Sequence, residues 1–244
     1  MAKKRITGSV IILIVLAAAL GGVFVYKKIA ARNSLAAQIA ALSPRGAPPQ
    51  TIEDLRKAIA LYETKIEEHL KDSQQTGIYW KILGSRLVDK KLHGEALEAL
   101  ERAAYYYPED ETVHYLIGIS AGTLAKGEYF SPAEQEQHFR MAEQAYLQAI
   151  DIDERYGKAL YGLSVLYVFE FGRPAEAVPY LERFLDIHKG DTDAMFVLAA
   201  ARYMTEDYQG AVDMYDRILE LTKDTNIRSQ AESNRQQVMD EWYR

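Results

Sequence analysis

Two patterns of apolar residues run along the chain. The first is a block: Ile6 to Tyr26, ITGSVIILIVLAAALGGVFVY, carries no charge. As a helix it would extend roughly 30 Å, about the hydrocarbon thickness of a bilayer. Lys3, Lys4 and Arg5 precede it, Lys27, Lys28 and Arg32 follow it, and Tyr26 stands at the boundary where an amphipathic ring is comfortable. Ala17-Ala18-Ala19 offers a small-residue signal cleavage site, but apolar sequence continues through Gly21, Gly22, Val23, Phe24 and Val25, which predicts an uncleaved transmembrane anchor. The Ala17-x-x-x-Gly21 and Ala18-x-x-x-Gly22 spacings suit helix pairing in a membrane, although small residues are common in any such helix. The two flanks balance in Lys and Arg, so orientation rests on the short basic N-terminus, which ahead of a first helix stays in the cytoplasm. In a bacterium the remaining chain would then lie in the periplasm. Residues 1–26 are read as cytoplasmic tip and anchor. Residues 27–50 are read as a helical stalk, with Leu35, Ile39 and Leu42 on one side, ending in the linker Ser43-Pro44-Arg45-Gly46-Ala47-Pro48-Pro49.

The second pattern is periodic. From Thr51 onward apolar residues recur at helical spacing, and no segment alternates as a strand does. Thr51 reads as an N-cap with Asp54 at the third helical position; Ile52, Leu55, Ile59, Tyr62, Ile66 and Leu70 then mark one face. Further on, Trp80-x-x-Leu83-Gly84-x-x-Leu87 precedes Ala96-x-x-x-Leu100, Ala103 and Pro108. A small residue recurs at Gly84, Gly118, Ser164 and Ala199, and a second series at Ala96, Ala142, Ala177 and Ala211. The first series steps by 34, 46 and 35 residues and the second by 46, 35 and 34. Both therefore give four units, with about 12 extra residues inside the second and one inside the third.

These landmarks, numbered from Gly77, resemble the tetratricopeptide repeat (TPR), a 34-residue helix–turn–helix unit. The resemblance covers residues 77–225. It implies an all-α fold: a solenoid of about four helical hairpins plus capping helices, preceded by the single transmembrane helix. Residues 51–76 are read as a partial unit ahead of the first repeat, and residues 226–244 as a C-terminal capping helix with Ile227, Ala231, Val238 and Trp242 as its sparse apolar points.

The stretch Gly118-Ile119-Ser120-Ala121-Gly122 fits G-x-S-x-G, the surroundings of a hydrolase nucleophile. That chemistry needs a strand entering a sharp turn at the serine. Val113 to Ile117 reads instead as the front of a helix, so Ser120 is expected inside a repeat and no catalysis is assigned. The five histidines form no H-E-x-x-H pair, and Glu134, Glu136 and His138 read as a solvated helix face rather than metal ligands. There is no Cys, which excludes thiolate catalysis and zinc sites built on it. No phosphate-binding Gly-rich loop appears, and no cofactor is predicted.

Charge changes the picture in one respect. Residues 1–50 hold seven Lys or Arg and no acid, leaving 22 basic and 35 acidic residues in 51–244, a net of −13. A body this acidic repels phosphate backbones, so nucleic acid is not an expected partner.

The insertion in the second unit includes Tyr129 and Phe130, followed by Ser131, Pro132 and Glu134 in the pattern of a capping box. The second helix of that unit is expected to start early and project two or three turns, with Tyr129 and Phe130 at the protruding loop as candidate partner contacts. In the TPR family the first helix of each unit lines a concave groove through its second, fifth, ninth, twelfth and thirteenth positions. Carried over, the resemblance names Tyr115, Ile119, Tyr161, Val165, Val168, Phe169, Phe196, Ala200, Tyr203 and Met204 as an aromatic and aliphatic lining. Such a surface suits an apolar peptide or an amphipathic helix. One TPR subset grips terminal carboxylates of cytosolic chaperones with Lys and Asn. Here Lys81 takes the fifth position of the first unit, but Ser85 replaces the Asn, and Ala121 and Val165 donate nothing. The resemblance therefore implies a non-enzymatic, membrane-tethered adaptor with a protein partner in its groove, of the kind found in bacterial secretion, flagellar or cell-wall assemblies. The alternatives are a cytosol-facing organelle receptor of the mitochondrial import type, and a small-ligand-binding partner of a transporter.

Overall fold

The computed structural model of the protein describes Ala37, residues 51–128 and residues 130–244. The apolar run Ile6–Tyr26, the linker and Tyr129 lie outside the described residues. Among the described residues no helix is long and apolar enough to cross a membrane, and no strand occurs. The chain divides into two compact units, Met1–Asp72 and Ser73–Arg244.

The described part of the first unit is the front of helix α1, Ile52–Asp89. Thr51 caps it: its hydroxyl accepts from the Asp54 N–H at 3.0 Å and donates to the Asp54 carboxylate at 2.7 Å. Ala58 is buried, with Asp54 and Leu61 half-buried on the same side, whereas Ile52, Leu55, Ile59, Tyr62, Ile66 and Leu70 are exposed. The sequence reading separates a helix at 51–72 from a first repeat beginning at Gly77. In the structure α1 runs without a break to Asp89, because nothing in Asp72-Ser73-Gln74-Gln75-Thr76 stops a helix. Gly77 stays helical and serves packing instead: a Cβ there would lie 2.5 Å from Tyr106 Cβ and 2.7 Å from the Tyr107 ring.

The second unit is a succession of hairpins. The end of α1 packs on α2, His93–Tyr106, through Gly77 and Gly84; α3, Glu111–Ala125, pairs with α4, Pro132–Ile152; α5, Gly157–Val165, is followed by α6, Pro174–Ile187; α7, Thr192–Met204, pairs with α8, Tyr208–Leu221; and α9, Thr225–Trp242, packs on α8. Several helices start where the sequence supplies a cap. Asp110, Asp191 and Asp207 accept the backbone N–H three residues on, from Val113, Ala194 and Gly210, at 3.0, 2.9 and 3.0 Å. Caps of this kind stabilise by roughly 1 kcal/mol each.

The small residues sit where the helices of a pair touch. A Cβ on Gly84 would lie 2.6 Å from the Leu100 side chain, and one on Gly118 would lie 2.5 Å from Tyr146. Ser164, Ala199, Ala96, Ala142, Ala177 and Ala211 are fully buried. The apolar core runs between the hairpins through Leu160, Leu163, Leu181, Met195, Leu198 and Ile218, all sealed from solvent. A second cluster of Leu97, Leu100, Val113 and Ile117, flanked by Trp80, joins the first two hairpins.

Both departures from the 34-residue step have a structural form. The Ser131–Glu134 capping box is formed, with the Ser131 N–H donating to the Glu134 carboxylate at 2.7 Å. From it α4 extends to 21 residues against 14 in α2, α6 and α8, two additional turns. The single extra residue of the third unit becomes a π-helical turn, Leu166–Glu170, continuous with α5. There Phe171 N–H reaches back five residues to the Leu166 carbonyl at 3.1 Å. A π turn is the way an α-helix absorbs one surplus residue without ending.

The last helix has the one-sided character expected of a cap. Ala231 and Val238 are buried, and Arg235 pairs with Asp216 of α8 at 2.6 Å. Ser120 lies within α3 and is fully buried, with no strand or sharp turn around it.

Candidate functional site

The first helices of the second and third hairpins, α3 and α5, flank a cleft of about 190 Å³. Ile119, Gly122, Thr123 and Lys126 line it from α3 and its C-cap; Gly162, Val165, Leu166 and Glu170 line it from α5 and the π turn; Phe139 and Tyr146 reach in from α4. The cleft exists because of two glycines. The Tyr146 ring is wedged between the helices, and Cβ atoms on Gly118 and Gly162 would lie 2.5 and 2.9 Å from it. Burial pushes the Tyr146 phenol well above its ordinary value, so the ring is neutral at any physiological pH. Gly122 differs: its nearest neighbour would be Ala142 Cβ at 3.6 Å, an ordinary contact, so its missing side chain leaves open space in the wall.

The insertion and α4 build the rest of this site. Lys126, at the start of the inserted loop, closes one end of the cleft by pairing with Glu170 at 2.5 Å. Phe139, where the ordinary part of α4 begins, packs edge-on against Phe171 with centroids 6.1 Å apart. Behind them Arg173 pairs with Glu143 of α4 and lies over the rings of Tyr167 and Phe171, at 4.6 and 4.5 Å from their centroids. Gly172, with φ of +60°, turns the chain so that Arg173 can take that place. Tyr167 is 4% exposed; burial, and the charge of the Glu143 carboxylate to which it hydrogen-bonds, raise its phenol well above the usual range. The ordinary part of α4 is thus fixed to the π turn by a stacked cation, while most of the added residues, Pro132 to Gln137, are exposed.

Of the residues named from sequence, Ile119 and Val165 line the cleft. Tyr115 and Tyr161 are half-buried beside it: Tyr115 stacks edge-on against Tyr156 at 5.7 Å with Lys158 over its ring, and Tyr161 lies against Phe184 at 5.4 Å. Phe196 is half-buried on Tyr215, and Ala200 is also half-buried. Tyr203 and Met204 are exposed. Val168 is turned into the core at 2% exposure, while Phe169 stands in solvent at 58%. The π turn is the cause: one surplus residue advances the register, so Phe169 and Glu170 take the inward places that regular spacing gives to Val168 and Phe169. Phe130 is half-buried with its ring edge-on to His138 at 4.9 Å, and Tyr129 lies outside the described residues.

The same spacing, applied to the second unit, leads to Gly122 and Thr123, which a search for apolar anchors omits. Tyr146, Phe139 and Lys126 carry no signal in the first helices alone, since they come from the second helix and the inserted loop.

The side chains that suggested rival chemistries are engaged elsewhere. Among the described residues no group of His, Asp and Glu is placed to hold a metal. Glu134 accepts from Ser131, Glu136 pairs with Arg140 at 2.8 Å, and His138 faces Phe130. Lys81 is taken by the Asp110 carboxylate at 2.6 Å, so it presents no unpaired ammonium to a peptide carboxylate.

Residues 168–231 match the family model for the tetratricopeptide repeat. A TPR repeat-containing protein of Borreliella burgdorferi is 21% identical over 172 residues, 70% of this chain and 74% of its own length. Anaphase-promoting complex subunit 3 of Schizosaccharomyces pombe is 26% identical over 148 residues, 61% of this chain but only 20% of that protein. Among solved structures, YrrB, described as a TPR protein with an unusual peptide-binding site, superposes with a TM-score of 0.58 at 16% identity, over 72% of this chain and 82% of its own. MamA from Desulfovibrio magneticus gives 0.54 at 15% identity, over 69% and 93%.

Proposed function

Because the body of this chain is built of tetratricopeptide repeats, we propose that it is a membrane-tethered adaptor that holds a segment of a partner protein against the α3–α5 cleft. The observation that carries the reading is the cleft itself. It has an apolar floor and walls, one ion pair at its end, and a volume of about 190 Å³. That is below the roughly 300–1,000 Å³ of sites that enclose a whole small ligand, but it suits one or two side chains of a peptide. The exposed ring of Phe169 and the half-buried ring of Tyr161 stand on the same helix as supplementary anchors. YrrB, a protein of similar fold, is described as having a peptide-binding site, which supports the choice of a peptide over a metabolite. The uncharged run Ile6–Tyr26 supports the tether, and the basic N-terminus supports a periplasmic body in an envelope assembly of secretion, flagellar or cell-wall type.

The test is a photo-crosslinking amino acid placed at Phe169 in intact cells, with Gln144, an exposed position of α4 that does not line the cleft, as control. A discrete protein adduct from Phe169 and none from Gln144 is expected. Equal adducts at the two positions, or none at either, overturns the adaptor reading. Protease treatment of spheroplasts reports the side of the membrane: digestion of the body is expected, and protection overturns the periplasmic placement.

A further inference from the structure

The front of α1 carries an apolar seam that nothing in the described chain covers. Ile52, Leu55, Ile59, Tyr62 and Ile66 follow one another at alternating intervals of three and four residues, with exposures of 72, 41, 54, 51 and 57%. Intervals of this kind keep residues on one line along a helix that winds slowly around a partner helix, the a and d places of a heptad. Assigning Ile52 to a puts isoleucine at all three a places and Leu55 and Tyr62 at d. β-Branched residues at a with leucine at d favour two parallel strands.

The buried side of α1 is a different one. Ala58 is buried and Asp54 and Leu61 are half-buried, and by helical geometry their line lies roughly 100° around the axis from the seam. The charged residues keep clear of the seam: Lys57 pairs with Glu53 at 2.6 Å and Lys65 with Glu68 at 2.7 Å, both along one helix. In an in-register parallel pair the flanking contacts would be Thr51 with Arg56 and Lys65 with Leu70, neither of them between like charges, and Ala58, already buried, takes no part.

We propose that this seam is the interface between two copies of the chain, a short parallel coiled coil of the residues 52–66, independent of what the cleft binds. Five side chains a strand fall short of the roughly 800 Å² per partner of a standard stable interface. The pair is therefore concentration-dependent, and any second tether that holds two chains side by side strengthens it.

The chain has no cysteine, which makes the test direct. Ile52→Cys and Ile66→Cys are made singly in the full chain in mild detergent, with Lys57→Cys and Lys71→Cys on the far side as controls. In-register pairing predicts disulfide-linked dimers from each seam variant, forming at least roughly tenfold faster than from either control. It also predicts a concentration-dependent mass for the unmodified chain that Ile59→Glu shifts to a single copy. Equal rates on both sides overturn the proposal. Cross-linking only between Ile52→Cys and Ile66→Cys in a mixture means an antiparallel pair and overturns it too. A monomeric internal disulfide in the double variant Ile39→Cys, Ile59→Cys would give the seam to the chain's own stalk, which also refutes the pairing.

Discussion

Gly118→Ala is the substitution whose outcome follows most directly from the packing. The new methyl would lie 2.5, 2.6 and 2.9 Å from three atoms of the Tyr146 ring, where carbon contacts ordinarily sit at about 3.5–4.0 Å. The ring must move by about 1 Å. It cannot move freely, because the same ring atoms also lie against Gly162, where a Cβ would be 2.9 Å away. Overpacking of this kind costs about 1–3 kcal/mol. Against it stands the helix preference of alanine over glycine, about 1 kcal/mol. The net expectation is a loss of about 1 kcal/mol, or roughly 3 °C in Tm for a body of this size. The sign reverses once the ring is gone. Tyr146→Ala alone costs about 3–5 kcal/mol, but in that background Gly118→Ala meets nothing and only its helix preference remains, a gain of about 1 kcal/mol. The coupling between the two sites is therefore about 2 kcal/mol. Urea unfolding of the four proteins, followed by far-ultraviolet circular dichroism, closes the cycle. If Gly118→Ala costs the same with and without Tyr146, or stabilises the parent protein, the ring is not packed on Gly118 and the account of the cleft floor fails.

Four other expectations follow from the same structure. Gly122→Ala meets only an ordinary contact at 3.6 Å, so it is expected to raise Tm by roughly 3 °C while filling the cleft wall and weakening crosslinking from Phe169; unchanged crosslinking would remove Gly122 from the site. The Ser120 hydroxyl is buried with no hydrogen-bond partner, so Ser120→Ala is expected to stabilise by about 1 kcal/mol and leave crosslinking intact; a loss of partner binding would return a role to Ser120. Arg173→Lys keeps the charge but loses the planar stacking on Tyr167 and Phe171, and is expected to cost about 1 kcal/mol after allowance for its partial exposure, read as a lower urea midpoint; an unchanged midpoint would refute the stacking role. Burial raises the phenols of Tyr115, Tyr146, Tyr161, Tyr167 and Tyr215 above their ordinary value; a raised folded-state value means stability that is whole below the unfolded-state pKa near 10 and is lost as pH rises through the folded-state values. Tyrosinate absorbance is therefore expected to rise in two stages, the second coinciding with loss of helix, and a single stage with helix intact would contradict it.

The hairpin succession was legible because close approach of paired helices imposes small residues at fixed places. Gly84, Gly118, Ser164 and Ala199 mark those places whatever else the sequence does. The caps were legible for a similar reason: Ser131, Pro132 and Glu134 satisfy backbone donors within four residues, so their signal is local. The unbroken α1 was less so. A repeat boundary drawn at Gly77 follows the family's numbering, whereas the helix responds only to its own backbone, and no breaker stands between Ile52 and Asp89.

The cleft shows what a register argument alone leaves out. Counting the small residues locates one surplus residue between Ser164 and Ala177, but counting does not say whether that residue falls in the turn or in the helix. A residue added to the turn would leave Val168 facing the groove. A residue absorbed as a π turn carries Val168 into the core and brings Phe169 and Glu170 to the surface. What decides between them lies 30 residues upstream, where Glu143 of the lengthened α4 meets Arg173, and Arg173 in turn covers Tyr167 and Phe171. The π turn of the third unit is thus held by the ordinary part of α4, through Glu143 and Phe139, while the insertion of the second unit contributes Lys126, which meets Glu170 at the end of the cleft.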